Sequence, residues 1–265
     1  MTKYGKIMIP KIIHYCWFGG KPLPKSAEKC IASWRKFLPD YEIKEWNEQN
    51  FDVNIIPYTA EAYRARKYAY VSDYARFWVL YRYGGLYFDV DVEVIKSMDD
   101  IIARGPFMGC ESSSVEGAAP SELGVAPGLG LGVNPGLGLG VNPGLGLVKE
   151  LLGIYEQMGF ESENQNRAAG IYKTVVSYTT DLLVSHGLQN TPEIQLVDGI
   201  YIYPKEYFNP LEHINQLHIT ENTRSIHWYD GTWQPKRYRA FRRVVRLLGP
   251  KVYSAFLAFR KLISK

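Results

Sequence analysis

Hydrophobic positions along the chain fall into stretches of two periods, and the two kinds alternate. Residues 11–18, KIIHYCWF, are dense in β-formers and stop at Gly19-Gly20, which predicts a strand and a turn. SAEKCIASWRKFL (26–38) is helical in character and stops at Pro39-Asp40, and YEIKEWN (41–47) alternates like a second strand. This strand–helix–strand opening predicts an α/β sheet with nucleotide-binding character. Ser72 is a plausible N-cap for a helix over 73–83, DYARFWVLYRY, which Gly84-Gly85 closes. LYFDVDVEVI (86–95) then predicts a strand, apolar at first and afterwards alternating Asp-Val-Asp-Val-Glu-Val. Two carboxylates thus fall where a buried strand leaves the sheet, a place where open α/β sheets bind ligands.

The later half keeps the alternation. A strand near PFMGCE is followed by a helix from about Leu147, a helix-like stretch at 171–187 and strands around a turn at 194–204. Residues 217–233 run through a strand into an aromatic loop with His227, Trp228 and Trp233. One segment fits neither period. GLGLGVNP occurs at 128–135 and again at 136–143, followed by GLGL. Two copies are too few for a solenoid, and glycine at alternate positions packs a poor core. Residues 124–147 are therefore expected to form a flexible duplicated loop, a tolerated expansion or a lid over the site.

Composition adds bounds. At 265 residues, 46% hydrophobic and 22% charged, the chain can bury a sizeable core and gives no reason for two domains. Twenty Tyr and six Trp suit sugars and nucleobases, though they also fill cores. Cys16, Cys30 and Cys110 have neither metal-ligand spacing nor a disulfide framework. The N-terminus lacks a signal-peptide apolar run and no stretch approaches the ~20 apolar residues of a membrane span, so a reducing cytoplasm is the expected compartment.

Charge is unevenly placed. Residues 236–265 hold ten of the 31 Lys and Arg and no Asp or Glu, leaving 21 basic against 27 acidic residues in the rest. Within 237–248, Tyr238, Phe241, Val244, Val245 and Leu248 share one helical face, with arginines on the remainder. A second stripe follows Gly249-Pro250 with Val252, Phe256, Phe259 and Ile263. The chain is therefore divided into a main domain at 1–235 and a basic amphipathic helical tail at 236–265. Such a tail suits an anionic membrane surface or, alternatively, the acidic body of its own protein. No base-reading module accompanies the charge, so nucleic acid is not an expected partner.

The chemistry centres on Asp89 and Asp91. Alternate residues on a strand face the same way, so the two carboxylates can act together. Side by side they repel unless a cation joins them. Mn²⁺ or Mg²⁺, hard ions favouring oxygen, would do so and bridge to a diphosphate. An isolated Asp-x-Asp is common on exposed strands. Asp73 and Arg76, three apart on the preceding helix, could hold a ribose hydroxyl and a phosphate or sugar oxygen, or could form only a local ion pair.

Taken together, SDYARFWVLYRYGGLYFDVDVEVI resembles the DXD-containing sugar transferases of glycosyltransferase family 32, including yeast outer-chain mannosyltransferases. Clostridial glucosylating toxins share the motif. Ser72, Asp73, Arg76, Gly84, Gly85, Tyr87, Asp89 and Asp91 occupy its positions. The likeness extends more loosely over residues 7–235. It implies a GT-A fold, one mixed sheet flanked by helices, a divalent metal and retention of anomeric configuration. By the same resemblance Asp91 would bind the metal directly, and Asp89 would touch donor or metal. Asp73, Arg76 and Tyr87 would line the donor site, and Trp17 would stack on the base. His227 would be a further metal ligand, and Thr232 and Trp233 would lie against the phosphates. Asp89, Asp91 and Arg76 are thus the expected catalytic groups. No side chain stands out as a nucleophile.

The expected function is transfer of a sugar from a nucleotide-sugar donor, a UDP-sugar ahead of GDP-mannose, to a glycan or lipid-linked glycan acceptor. The setting would be bacterial surface polysaccharide synthesis, peripheral on the inner face of the membrane. A nucleotide-sugar hydrolase, a nucleotidyltransferase and a non-catalytic carbohydrate-binding protein are the alternatives.

Overall fold

The computed structural model describes residues 8–112, 132–165, 174–212 and 216–231. Residues 124–131 of the loop expected at 124–147, the tail at 236–265, Thr232 and Trp233 lie outside these residues. Strand β1 (Ile12–Cys16), helix α1 (Lys25–Phe37) and strand β2 (Glu42–Trp46) match the predicted opening, with β1 and β2 parallel. Helices α2 (Pro57–Arg64) and α3 (Tyr68–Tyr83) lead into β3 (Gly85–Tyr87), which runs parallel to β1. After β4 (Val92–Val94) and α4 (Asp99–Arg104) come β5 (Phe107–Ser112) and β6 (Gly132–Val141). Next are α5 (Gly146–Glu156), α6 (Phe160–Gln165), α7 (Val175–Ser185), β7 (Gln195–Val197) and β8 (Ile200–Tyr203). The chain continues with α8 (Lys205–Phe208), β9 (Leu211–Glu212), β10 (Gln216–Leu217) and β11 (Ser225–His227).

A seven-stranded mixed sheet, ordered β2-β1-β3-β6-β5-β8-β7, runs through the centre. Two small ladders, β10-β9 and β11-β4, sit outside it. This is the mixed sheet flanked by helices that the sequence predicts. One core cluster joins α3, α5 and α7 to the sheet through Phe77, Leu80, Leu151, Tyr155 and Leu183. The other packs α1 against it, through Ile31 and Trp34 on Phe88 and Val92. Full burial of each such side chain stabilises by roughly 1.5–3 kcal/mol. Trp34 also donates its indole N–H to the Val92 carbonyl at 2.8 Å, fixing the start of β4.

Three expectations need correction. Ser72 is not an N-cap: α3 begins at Tyr68, and the Ser72 hydroxyl donates to the Tyr68 carbonyl at 3.2 Å. The five extra residues, 68–72, extend the helix because a turn of Tyr and Val ahead of Ser72 finds packing partners. Val71 is fully buried. Second, 86–95 is not one strand. β3 stops at Tyr87, Val92 N–H donates to Asp89 O at 3.0 Å, and the chain turns between them.

The third concerns the glycine-rich duplication. Residues 132–141 are a central strand, β6, antiparallel to both β3 and β5. Glycine is required there by the neighbours. A Cβ on Gly140 would lie 2.3 Å from the Phe107 ring, so Phe107 and Leu86 already fill that space. The strand is also bulged. Met108 pairs with Leu139 but Gly109 pairs with Asn134, leaving 135–138 looped out of the ladder. Bulges accept Pro135, which has no N–H to give, and they occur beside active sites.

Candidate active site

Strands β1, β2, β3, β5 and β8 are parallel, so their C-terminal ends share one edge of the sheet. Trp17 follows β1, Asn47 follows β2, Asp89 lies just beyond β3, Glu111 is next to last in β5 and Asn209 lies beyond β8. The site is built along this edge, as open α/β sheets favour.

One corner of the site rises from α3. Asp73 and Arg76, 8% and 4% exposed, pair at 2.9 Å, and Arg76 Nε–H donates to the Ser72 carbonyl at 3.1 Å. The same guanidinium stands 3.5 Å from Asp89 and 5.0 Å above the Tyr87 ring. Tyr87 Oη donates to Asp89 at 3.2 Å. The pair is therefore not a solvated helix ornament but one wall of the carboxylate site. Burial pushes the Asp73 carboxyl up to about 7, although Arg76 pulls the other way. Arg76 Nη1 is buried without a hydrogen-bond partner. Native buried donors are nearly always paired, so an open Nη1 is a place for a ligand oxygen.

The turn after β3 aims the other carboxylate. Asp89 N–H donates to the Gly136 carbonyl at 2.9 Å, holding the turn against the β6 bulge. Asp91 is gripped from the far side. Its Oδ2 accepts the Asp230 N–H at 2.9 Å, its Oδ1 lies 3.0 Å from His227 Nε2, and its carbonyl accepts the Trp228 N–H at 2.9 Å. The β11–β4 ladder sets His227 opposite Val92. Burial opposes the Asp91 charge, yet His227 and the Asp230 N–H outweigh it and hold the carboxyl below its usual range. Burial likewise opposes the His227 cation, and Asp91 outweighs it, raising the imidazole.

Ligand atoms of Asp89, Asp91 and His227 all lie within 4.8 Å of one another. A turn, not strand alternation, brings the two carboxylates together. His227 is 6% exposed and its Nδ1 has no partner. Two carboxylates, one imidazole and an unsatisfied ring nitrogen fit a hard or borderline divalent cation.

Trp17 lies on the same edge, half-buried, with its indole N–H donated to the Lys21 carbonyl at 2.6 Å. It lines a cavity of about 550 Å³ together with Gly19, Asn47, Glu48 and Tyr63. Sequence reasoning missed the far side of the edge. Asn134 Nδ2 donates to Glu111 at 3.0 Å, while Gly136 N–H donates to Asn134 Oδ1 at 2.8 Å. Asn209 Nδ2 donates to Tyr229 Oη at 2.7 Å and to the Glu111 carbonyl at 2.9 Å. The only hint in the chain was a lone Glu ending the PFMGCE strand.

Asn134 also makes the repeat asymmetric. Residues 124–133, GVAPGLGLGV, match β6 at every position except Ala126 in place of Asn134. Removing either GLGLGVNP copy yields the same polypeptide, in which GVAPGLGLGV leads into α5. That deletion should keep the sheet but put alanine opposite Glu111. Deleting 124–131 should keep both sheet and Asn134. The first variant should be less stable than the second by about 1–3 kcal/mol, the cost of buried polar groups left unpaired. Equal melting temperatures would show that Asn134 contributes nothing.

Residues 24–108 match the family described as glycosyltransferase sugar-binding region containing DXD motif. Among curated relatives, inositol phosphoceramide mannosyltransferase 3 of Schizosaccharomyces pombe is 28% identical over 124 residues, covering 45% of this chain and 34% of the relative. Uncharacterized glycosyltransferase L373 of Acanthamoeba polyphaga mimivirus is 32% identical over 110 residues, covering 38% of this chain and 42% of the relative. The matches thus span about a third to two-fifths of those proteins. Solved structures that align include PaToxG glycosyltransferase, with TM-score 0.48 and 17% identity over 67% of this chain and 69% of that one. The galactosyltransferase LgtC aligns with TM-score 0.36 and 16% identity over 74% of each chain. The match to the DXD-containing glycosyltransferase family thus takes in the segment that carries Asp73, Arg76, Asp89 and Asp91.

Proposed function

We propose that the protein is a metal-dependent, retaining glycosyltransferase that moves a sugar from a nucleotide-sugar donor to a glycan acceptor. One observation carries the reading: Asp89, Asp91 and His227 converge within 4.8 Å beside Arg76, whose Nη1 is buried and open. Asp91 and His227 would hold Mn²⁺ or Mg²⁺, with Asp89 on the metal or the donor. When bound, the cation neutralises negative charge on a departing diphosphate. Arg76 offers its free N–H to a phosphate or sugar oxygen, Asp73 accepts a donor hydroxyl, and Tyr87 orients Asp89. Trp17 presents an aromatic surface to the base. By the family resemblance alone, Thr232 and Trp233 would lie against the phosphates.

A UDP-sugar is the first choice of donor and GDP-mannose the second. Relatives named for mannose transfer to inositol phosphoceramide are consistent with mannose and with a lipid-linked acceptor. The setting we favour is bacterial surface polysaccharide synthesis at the inner membrane face. Among the described residues no helix is long and apolar enough to cross a membrane. Ten basic and no acidic residues in 236–265 support peripheral binding to an anionic leaflet instead.

A screen of nucleotide sugars by melting temperature, with Mn²⁺ and with EDTA, tests the donor site. One donor should stabilise the protein only with metal, because ligands that bind the native state raise apparent stability. Product analysis with that donor should show transferred sugar. Free sugar alone would make the protein a hydrolase. Low-salt sedimentation with anionic vesicles should carry the full-length chain down, and a chain that stays in solution refutes the tail's role.

A further inference from the structure

Glu111 stands near the C-terminal end of β5, half-buried, and belongs to none of the groups discussed as ligands. Its hydrogen bonds run in two directions. One oxygen accepts the Asn134 amide at 3.0 Å; Asn134 Oδ1 accepts the Gly136 N–H, and the Gly136 carbonyl accepts the Asp89 N–H. In the other direction the carboxylate accepts the Tyr229 hydroxyl. The Tyr229 ring packs on His227 with centroids 4.0 Å apart. One carboxylate is therefore linked through short chains of contacts to both arms of the Asp89–Asp91–His227 group.

Tyr229 shows that this linkage is under demand. It has φ of +50°, a left-handed conformation that bulky residues avoid and that persists only when surrounding contacts over-determine it. Those contacts are on the page. Its hydroxyl donates to Glu111 and accepts from Asn209, which is 2% exposed. The twist at Tyr229 lets the next residue, Asp230, turn its N–H onto Asp91 at 2.9 Å.

We propose that Glu111 and Tyr229 are positioning residues that hold His227 and the Asp89 turn at the separation a divalent cation requires. The proposal rests on the metal reading given above. Groups that orient metal ligands from behind alter metal affinity by about 10–100-fold when changed. A carboxylate suits the post because each of its oxygens accepts, whereas an amide in its place would present one accepting oxygen and one donating NH2 group.

The test uses Mn²⁺ alone, titrated into the full-length chain and followed by the paramagnetic resonance of free Mn²⁺. Tyr229→Phe keeps the ring on His227 and removes only the hydroxyl. It should raise the Mn²⁺ dissociation constant about 10–100-fold while circular dichroism stays native. Glu111→Gln should do the same and carries the test if Tyr229→Phe does not fold. Folded variants that bind Mn²⁺ within twofold of the unaltered protein overturn the proposal and leave the metal reading standing. An unaltered chain that binds no Mn²⁺ removes both. A purely structural role would lower melting temperature without moving the dissociation constant, which also overturns it.

Discussion

Asp91→Asn should cut metal-dependent sugar transfer by about 10²–10³-fold, the usual loss when one electrostatic stabiliser of a developing charge is removed. Asp91 is the point at which β4 and the His227 segment meet, and His227 Nε2 lies 3.0 Å from it. Asparagine keeps an oxygen for the Asp230 N–H, so the local fold should hold, but the negative charge that His227 and a cation share is gone. Melting curves with and without Mn²⁺ check the cause. The variant should melt like the unaltered protein in EDTA and gain nothing from Mn²⁺. Unreduced transfer, or unchanged Mn²⁺ stabilisation, would contradict the assignment of Asp91.

Gly136→Ala should be nearly as damaging, although position 136 carries no chemistry of its own. An added Cβ would fall 1.9 Å from Asp89 Oδ2, 2.7 Å from its Cγ and 3.0 Å from Arg76 Nη1. Asp89 cannot simply rotate away, because Tyr87 and Arg76 hold it from the other side. A displacement near 1 Å in a positioned group costs about 10²-fold in rate. Overpacking should add about 1–3 kcal/mol of lost stability. Gly146→Ala is the control, since nothing lies within 4 Å of a Cβ there and its φ is not positive. Steady-state kinetics on the two variants should separate sharply, and equal turnover would mean the β6 bulge does not bound the site.

Much of this architecture could be read from residues in order. β1, α1, β2, β5, α5, α7 and β8 follow from local period and from the Gly and Pro that punctuate it. Asp73, Arg76, Asp89 and Asp91 were legible because their spacing reproduces a family motif. His227 could be named only through that resemblance, since a single histidine 136 positions from Asp91 has no local signature.

What escaped a linear reading depended on contacts between distant segments. Alternation in Asp-Val-Asp-Val-Glu-Val predicted one strand, but the Val92–Asp89 turn and the pairing of β4 with β11 split it in two. The Asp89 and Asp91 side chains converge for that reason. Gly-Leu-Gly-Leu resembled a loop because glycine is a weak strand former by itself. It forms β6 because Phe107, Leu86 and Asp89 project into the space its side chains would need, a condition set by β3, the turn that follows it and β5. Glu111 shows the same dependence. Its role comes from Asn134 on one neighbouring segment and Tyr229 on another, 23 positions away in the first case and over a hundred in the second. Local sequence sets which backbone conformations are inexpensive, whereas a hydrogen bond or a steric fit between segments exists only once packing has brought both partners to the same edge.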